Sequence, residues 1–529
     1  MESNSPHLSP ASLVDPVIAF VRANKWFLLG LGVLYLATRL PFLFLGYGVR
    51  SDAWGPARAA RALLESGTYE VGRYPGYVLH ELVNVPLVVI GGWTATVAAS
   101  ALVYALALVA VIYILQVNRH KHPRILLALF AFLPLFWLNS VENLDYVWNL
   151  AAHLIAFALL LSGRTTASAI VFGIGVGFRL SSAVMIAPFA LQLWLQRGSF
   201  GALVKYSAIA GVVGIVPYTL VLVTYGITAF RPHILPSADT FGNYVLSSIT
   251  LTEPGVGQFS LFLLLIGTII SIPAVARQLR TRSCAWVYLA MTATSFGSWV
   301  LLRFLGQSSV LSVDQIIPAF AFLLLLLDLF WNKVLLVLLL CLSTFSGIWI
   351  VRLGNLLHPQ NAWIQAGVGP VLYSTWLRRD YLAFRQELAS FVFPPHAVVI
   401  YGSLGNILTA ENPQLVRLSA SYSTERHPDS NFDIRADPPF WVAITDPTTG
   451  MQGRIFGEAY KQKDADVYYV YLLDNDAARI FTERGYVFYH VTGSDKYNMG
   501  AVGFDLKSIG SRELVFPAST AAAAGAAGR

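Results

Sequence analysis

The sequence predicts an α-helical polytopic membrane bundle of about eleven transmembrane helices, followed by a C-terminal soluble α/β domain. Three observations carry that expectation. Apolar runs of about 20 residues, the length that crosses a hydrocarbon core of about 30 Å, recur from Trp26 to Val351. Only 12% of residues are charged and 56% are hydrophobic, whereas a soluble globular chain is about 25% charged. Beyond Val351 charged residues become common, and short β-branched and aromatic runs replace the long apolar ones.

Taken in order, residues 1–25 form a largely polar N-terminal segment whose Arg22 and Lys25 immediately precede the first apolar run. That run is too long for a signal-peptide core and lacks an Ala-x-Ala site, so it reads as a retained helix. Residues 26–351 form the membrane module, with apolar runs at 26–46, 92–116, 125–138, 146–162, 166–178, 183–196, 206–226, 258–276, 284–302, 315–330 and 334–351. The clusters Arg22/Lys25, Arg119/Lys121/Arg124, Arg164, Arg197/Lys205, Arg277/Arg280/Arg282 and Lys333 fall on one side of that count, which the positive-inside rule assigns to the cytoplasm. The segments 47–91, 139–145, 179–182, 227–257 and 303–314 fall on the other side, as does the region 352–517, expected as an extracytoplasmic α/β domain. Its strand-like runs are Ala397–Tyr401, Phe440–Thr445, Val467–Leu473 and Tyr486–Val491, separated in part by helical patterns near Tyr373–Phe391 and Ala477–Arg484. Residues 518–529 are an Ala/Gly-rich tail that cannot bury a core.

Several function classes are excluded by pattern. The net charge of +7 resides in short clusters between apolar runs, not in a basic stripe, so nucleic acid is not an expected partner. The two cysteines, Cys284 and Cys341, offer neither a disulfide framework nor a zinc pattern. Gly402 to Gly405 is a lone Gly-x-x-Gly that reads as a turn, and no nucleotide fingerprint accompanies it.

The candidate chemistry gathers at the outer ends of the runs. Asp52 follows the first run by only a few residues and precedes an amphipathic stretch, Ala57 to Ser66, suited to a helix lying at the interface and stopped by Gly67. Its carboxylate is placed to act as a general base on an acceptor hydroxyl; the plainer alternative is that it caps the helix that follows. In the second outer loop Glu142 and Asp145 are three residues apart and share one side of a helical turn. They suit a divalent cation or the orientation of an acceptor, or they cap the next helix, the plainer reading for Asp145. Arg179, Arg231 and Arg303 stand at outer helix ends, where a guanidinium binds phosphate bidentately, and where long cationic side chains also simply snorkel. His80, His153 and His233 are scattered, and His153 lies inside an apolar run, as a structural histidine would.

Ser51-Asp52 after the first helix, the stretch Arg73-Tyr74-Pro75-Gly76-Tyr77, the acidic second loop, the Gly-Phe-Arg-Leu-Ser segment ending at Ser181 and an outer C-terminal domain together resemble the GT-C superfamily of membrane glycosyltransferases, which includes protein O-mannosyltransferases and bacterial aminoarabinose lipid A transferases. The resemblance implies a GT-C-like module that inverts a sugar as it moves from a polyprenyl-phosphate donor to a hydroxyl of a lipid, glycan or protein acceptor, in contact with membrane lipids. It implies Asp52 as the base, Arg179, Arg231 and Arg303 at the departing phosphate, and Tyr74 and Tyr77 lining the groove, to which His233 beside Arg231 is added. No cofactor is called for with certainty; a divalent cation at Glu142 and Asp145 stays one open alternative. The sequence departs from many relatives in showing Ser-Asp where they show Asp-Glu, and its Asp-x-Asp patterns, Asp464/Asp466 and Asp474/Asp476, lie in the C-terminal region.

Two other classes compete. A transporter or flippase of a lipid-linked or amphipathic substrate predicts broken helices and an internal repeat; Gly173, Gly175 and Gly177 are the one cue, and close helix packing accounts for them equally. An acyl- or phosphoethanolamine-type transferase wants a catalytic His or Thr, for which only the scattered histidines are available.

Overall fold

The computed structural model describes residues 14–72, 75–230, 256–281, 283–304, 313–353 and 364–390, and strand segments within 397–505. Chain packing divides the molecule into two units: residues 1–47 with 59–375, and residues 48–58 with 376–529.

The first unit is helical. Its helices are α1 (Val14–Ala23), α2 (Lys25–Arg39), α3 (Ser51–Ser66, shared with the second unit), α4 (Val78–Val117), α5 (Pro123–Phe132), α6 (Pro134–Asn139), α7 (Asp145–Leu161), α8 (Thr165–Phe178), α9 (Ile186–Arg197), α10 (Phe200–Ile215), α11 (Thr219–Tyr225), α12 (Gln258–Ile270), α13 (Ile272–Thr281), α14 (Ser283–Phe304), α15 (Ile317–Phe330), α16 (Lys333–Ile348) and α17 (Pro370–Ser390), the last crossing into the second unit. Helices α7 and α15 are apolar on nearly every face and are buried along most of their length, as a core helix must be. Phe157 meets Phe189, Tyr288 and Phe322 edge-on at ring separations of 5.7–6.0 Å, which ties α7 to α9, α14 and α15. Helices α8 and α10 approach closely through glycine: a Cβ on Gly173 would lie 2.7 Å from the Ala210 carbonyl oxygen, and one on Gly214 would lie 2.9 Å from Val176. The glycines of α8 therefore serve packing, and the helix runs unbroken through them.

The chain is a multi-pass membrane protein, but the expectation of about eleven spanning helices with an α/β domain after them is corrected on both counts. Among the described residues four helical stretches are long and apolar enough to cross a bilayer: Lys25–Phe44, Val78–Val117, Phe200–Tyr225 and Ser283–Leu301. A fifth arises if α12 and α13, bent by 64°, count as one. The remaining apolar helices have 10–17 residues; at 1.5 Å per residue even the longest reaches only about 26 Å. Hydropathy counts apolar runs, whereas backbone breaks decide helices. Residues before proline avoid the helical region, and Leu133 is extended (ψ 126°) before Pro134, which divides the third expected run into α5 and α6. Pro273 likewise falls where the run 258–276 bends. Conversely, α4 starts at Val78, inside the segment expected as a loop, and is two helices joined at a non-helical Gly91-Gly92.

Beyond Val351 the described elements are mostly strands. Strands β1 (Trp349–Leu353) and β2 (Ile364–Val368) pair antiparallel directly after α16. In the second unit β3 (Ala397–Tyr401), β4 (Val416–Arg417), β5 (Trp441–Ile444), β8 (Val467–Leu473), β9 (Tyr489–Gly493) and β10 (Asn498–Asp505) form a sheet ordered β4-β5-β3-β8-β10-β9, parallel only between β3 and β8. Strands β6 (Gly450–Ile455) and β7 (Glu458–Gln462) pair separately. No helix follows Ser390 among the described residues, so the helix–strand alternation expected of an α/β domain is not seen; the pattern at 477–484 lies outside them.

Candidate functional site

The second expected loop is where the structure concentrates polar groups. Asn139, Ser140, Glu142, Asn143 and Asp145 are each 3% exposed or less. A buried loop must satisfy its backbone, and this one does so in part through Asn143 N–H, which donates to the Tyr47 carbonyl at 2.8 Å. Asp145 opens α7, whose N-terminal dipole favours negative charge, and Glu142 lies three residues before it in the loop.

Asp145 is the first residue of α7, and the preceding Leu144 makes no side-chain cap. Asp145 therefore stands one residue inside the capping position, and its carboxylate is engaged by a cation. Its Oδ2 accepts from Arg179 Nη1 at 2.7 Å, with the two side chains 2% and 9% exposed. Arg179 follows α8 at its C-cap with an extended backbone (φ −152°, ψ 106°). The guanidinium carbon stands 4.4 Å from the Tyr146 ring centroid and 5.4 Å from that of Tyr77, within cation–π range. Arg179 does not snorkel. The turn that carries it is braced: Ser182 Oγ donates to the Arg179 carbonyl at 2.7 Å, and Asn149 Nδ2 lies 2.9 Å from both Ser182 Oγ and the Gly175 carbonyl.

Tyr77 stands at the head of α4, and the loop before it is fixed by groups that sequence reasoning missed. Glu81, buried in the first turn of α4, accepts from the Tyr69 hydroxyl through Oε2 and from Gly72 N–H through Oε1 at 2.7 Å. The Tyr225 hydroxyl donates to the Tyr69 carbonyl at 3.0 Å and accepts from Val71 N–H at 3.3 Å. Burial and the adjacent Glu81 carboxylate push the Tyr69 hydroxyl well above the usual tyrosine range, which keeps it protonated and donating. Tyr69, Val71, Val78, Tyr218 and Val221 pack into one apolar cluster beneath the loop. Arg39 is a second omission. It is 2% exposed, stacks on Tyr35 at 4.2 Å and Trp137 at 5.2 Å, and donates to the Ala131 carbonyl freed by the α5–α6 break and to Ser140 Oγ at 3.4 Å. The signal was available in Arg39 itself, a cation five residues inside an apolar run ending at Phe44.

Asp52 lies in the first turn of α3 and is half-buried. The helix starts at Ser51, six residues before the amphipathic stretch, so Asp52 is inside it and not at the capping position. Asp52 belongs to the second unit, while Glu142, Asp145, Arg179 and Tyr77 belong to the first. Tyr74, Arg231 and His233 lie outside the described residues, as does the side chain of Arg303. Within the first unit, then, Asp145, Arg179 and Tyr77 come together with Tyr146, and Glu142 sits three residues before Asp145 in the same buried loop. No group of three or more His, Cys, Asp or Glu residues is arranged to hold a metal ion among the described residues. His153 is fully buried, its Nδ1 2.7 Å from the Asn149 carbonyl and its ring against Phe172, a structural setting.

No family model and no curated protein matches the sequence. Among solved structures, the chain is similar to the crystal structure of ArnT from Cupriavidus metallidurans in the apo state, with a TM-score of 0.47 and 14% identity over 91% of this chain and 98% of that one. It is similar to ArnT from the same organism bound to undecaprenyl phosphate, with a TM-score of 0.46 and 14% identity over 90% and 98%. This is a distant structural likeness, and it assigns no residue a role.

Proposed function

We propose that the chain is a membrane glycosyltransferase that moves a sugar from a polyprenyl-phosphate donor to a hydroxyl acceptor at the outer face of the membrane. The observation that carries the reading is the buried Asp145–Arg179 pair flanked by Tyr77 and Tyr146. Desolvating two charges is expensive and is seldom retained for stability alone, and ionisable groups at the ends of apolar helices mark functional sites.

In this reading Asp145 and the tyrosines hold the Arg179 guanidinium flat, and Arg179 stabilises the charge that develops on the departing phosphate. Arg231 and Arg303 serve the same phosphate, and Tyr74, Tyr77 and His233 line the groove. Asp52 removes the acceptor proton as its oxygen attacks the anomeric carbon from the face opposite the phosphate, which inverts the centre. The glycosyl–phosphate bond breaks as the new glycosidic bond forms, and the proton ends on Asp52. An activated phosphosugar needs little more than a base and charge stabilisation, so no nucleotide site is required. Glu142 orients the acceptor or shares a divalent cation.

Transport of a lipid-linked substrate is the second reading, and the break at Gly91-Gly92 within α4 and the 64° bend between α12 and α13 favour it. The two separate in detergent, where no compartments exist. Purified protein supplied with polyprenyl-phosphate sugars and candidate acceptors forms a new glycosidic bond if it is a transferase. Failure across pentose and hexose donors, with donor binding intact, favours transport.

A further inference from the structure

Apart from the site above, a second cluster lies where α1, α2 and the turn between α4 and α5 meet, on residues that the sequence assigns to the cytoplasmic side. Helix α1 presents Val14, Ile18 and Val21 on one face at spacings of four and three, 56%, 40% and 42% exposed. Its other side is anchored, with Phe20 buried and the helix packed on α4. Arg22 follows Ile18 by four residues in the last turn. Lys25 starts α2 with Nζ 5.4 Å from the ring centroid of Trp26, which is 75% exposed.

Asn24, between α1 and α2, accepts from Arg124 Nε at 2.5 Å, which brings the start of α5 to the same corner. Arg119, Lys121 and Arg124 are all exposed there. Among the described residues, the acid that bonds to this turn is spent internally: Asp328 is fully buried and accepts from Lys121 N–H at 2.8 Å and His122 N–H at 3.1 Å, with His120 Nδ1 at 3.0 Å and His122 Nδ1 at 2.9 Å. The corner therefore keeps its positive charge; Asp15, at the far end of α1, is the acid that helix carries.

We propose that this corner is a docking surface for anionic phospholipid, with the apolar stripe of α1 lying in the bilayer interface and Arg22, Lys25, Arg119, Lys121 and Arg124 on headgroup phosphates. The occupant follows from two features. The stripe is tied covalently to a spanning helix, which holds it at the membrane, and an exposed tryptophan beside lysine is an interfacial pair. Five clustered cations next to a spanning helix complement an anionic leaflet.

The test uses the purified full-length protein in detergent, titrated with phosphatidylglycerol or phosphatidylcholine of identical chains, with retained lipid counted by native mass spectrometry. Phosphatidylglycerol is retained preferentially. The variant Arg22→Gln/Lys25→Gln/Arg124→Gln binds it about a hundredfold more weakly, at about fivefold per cation, with phosphatidylcholine unchanged. Should that variant fail to fold, Lys25→Gln alone loses about fivefold while Lys25→Arg binds as the parent does. Ile18→Ser/Val21→Ser weakens both lipids, and soluble glycerol phosphate is not retained. Equal retention of the two lipids by the parent, an undiminished preference in the glutamine variants, or retention of glycerol phosphate alone overturns the proposal.

Discussion

The Asp145–Arg179 pair can be weighed by a double-mutant cycle. Arg179 Nη1 and Asp145 Oδ2 are 2.7 Å apart, with the side chains 9% and 2% exposed, so solvent screening is slight. Opposite charges at 4 Å gain about 4 kcal/mol at an effective dielectric constant near 20. Removing one partner breaks a buried ion pair, which costs about 3–5 kcal/mol. Asp145→Ala and Arg179→Met should each lose stability of that order, and the double variant should lose about 2–3 kcal/mol less than their sum. The assay is unfolding by SDS in mixed micelles, followed by far-ultraviolet circular dichroism. Single variants within about 1 kcal/mol of the parent, or an additive double variant, would show that the two charges are not coupled.

Three further outcomes follow from the packing. Gly173→Ala drives a Cβ into the Ala210 backbone and Val213, each at 2.7 Å, and should cost about 1–3 kcal/mol, whereas Gly30→Ala, with nothing within 4 Å, should stabilise by about 0.5–1 kcal/mol; thermal melts of the two variants check the order. Asp328→Ala removes the acceptor shared by two backbone N–H groups and two imidazoles, and with about 1–3 kcal/mol per stranded donor it should open the α4–α5 turn to hydrogen exchange. Tyr69→Phe deprives buried Glu81 of a donor and should cost about 1–3 kcal/mol, seen as faster proteolysis within residues 66–77 and unchanged cleavage elsewhere.

The membrane character was legible because it depends on composition and run length, which need no tertiary information. The helix count was not. Hydropathy treats residues 125–138 as continuous, while Pro134 forces Leu133 out of the helix, and it passes over the start of α4 because His80, Glu81 and Asn84 dilute the apolar average although all three are buried. Asp145 and Arg179 were recognisable one at a time by charge at a run end. Their union was not, since nothing in the spacing of residues 34 apart shows that the ends of α7 and α8 meet. Glu81 escaped for the same reason: its partners Tyr69 and Gly72 belong to a loop whose path is set by Tyr225, more than 150 residues later.

The proposed activity is transfer of a glycosyl group with Asp52 as the base. Its most direct test is release of polyprenyl phosphate from a polyprenyl-phosphate sugar by the native protein and by Asp52→Asn, with donor binding measured in parallel. If Asp52 is the base, donor binding is equal and turnover falls by about a hundredfold or more in the variant. Turnover by Asp52→Asn at the native rate contradicts it.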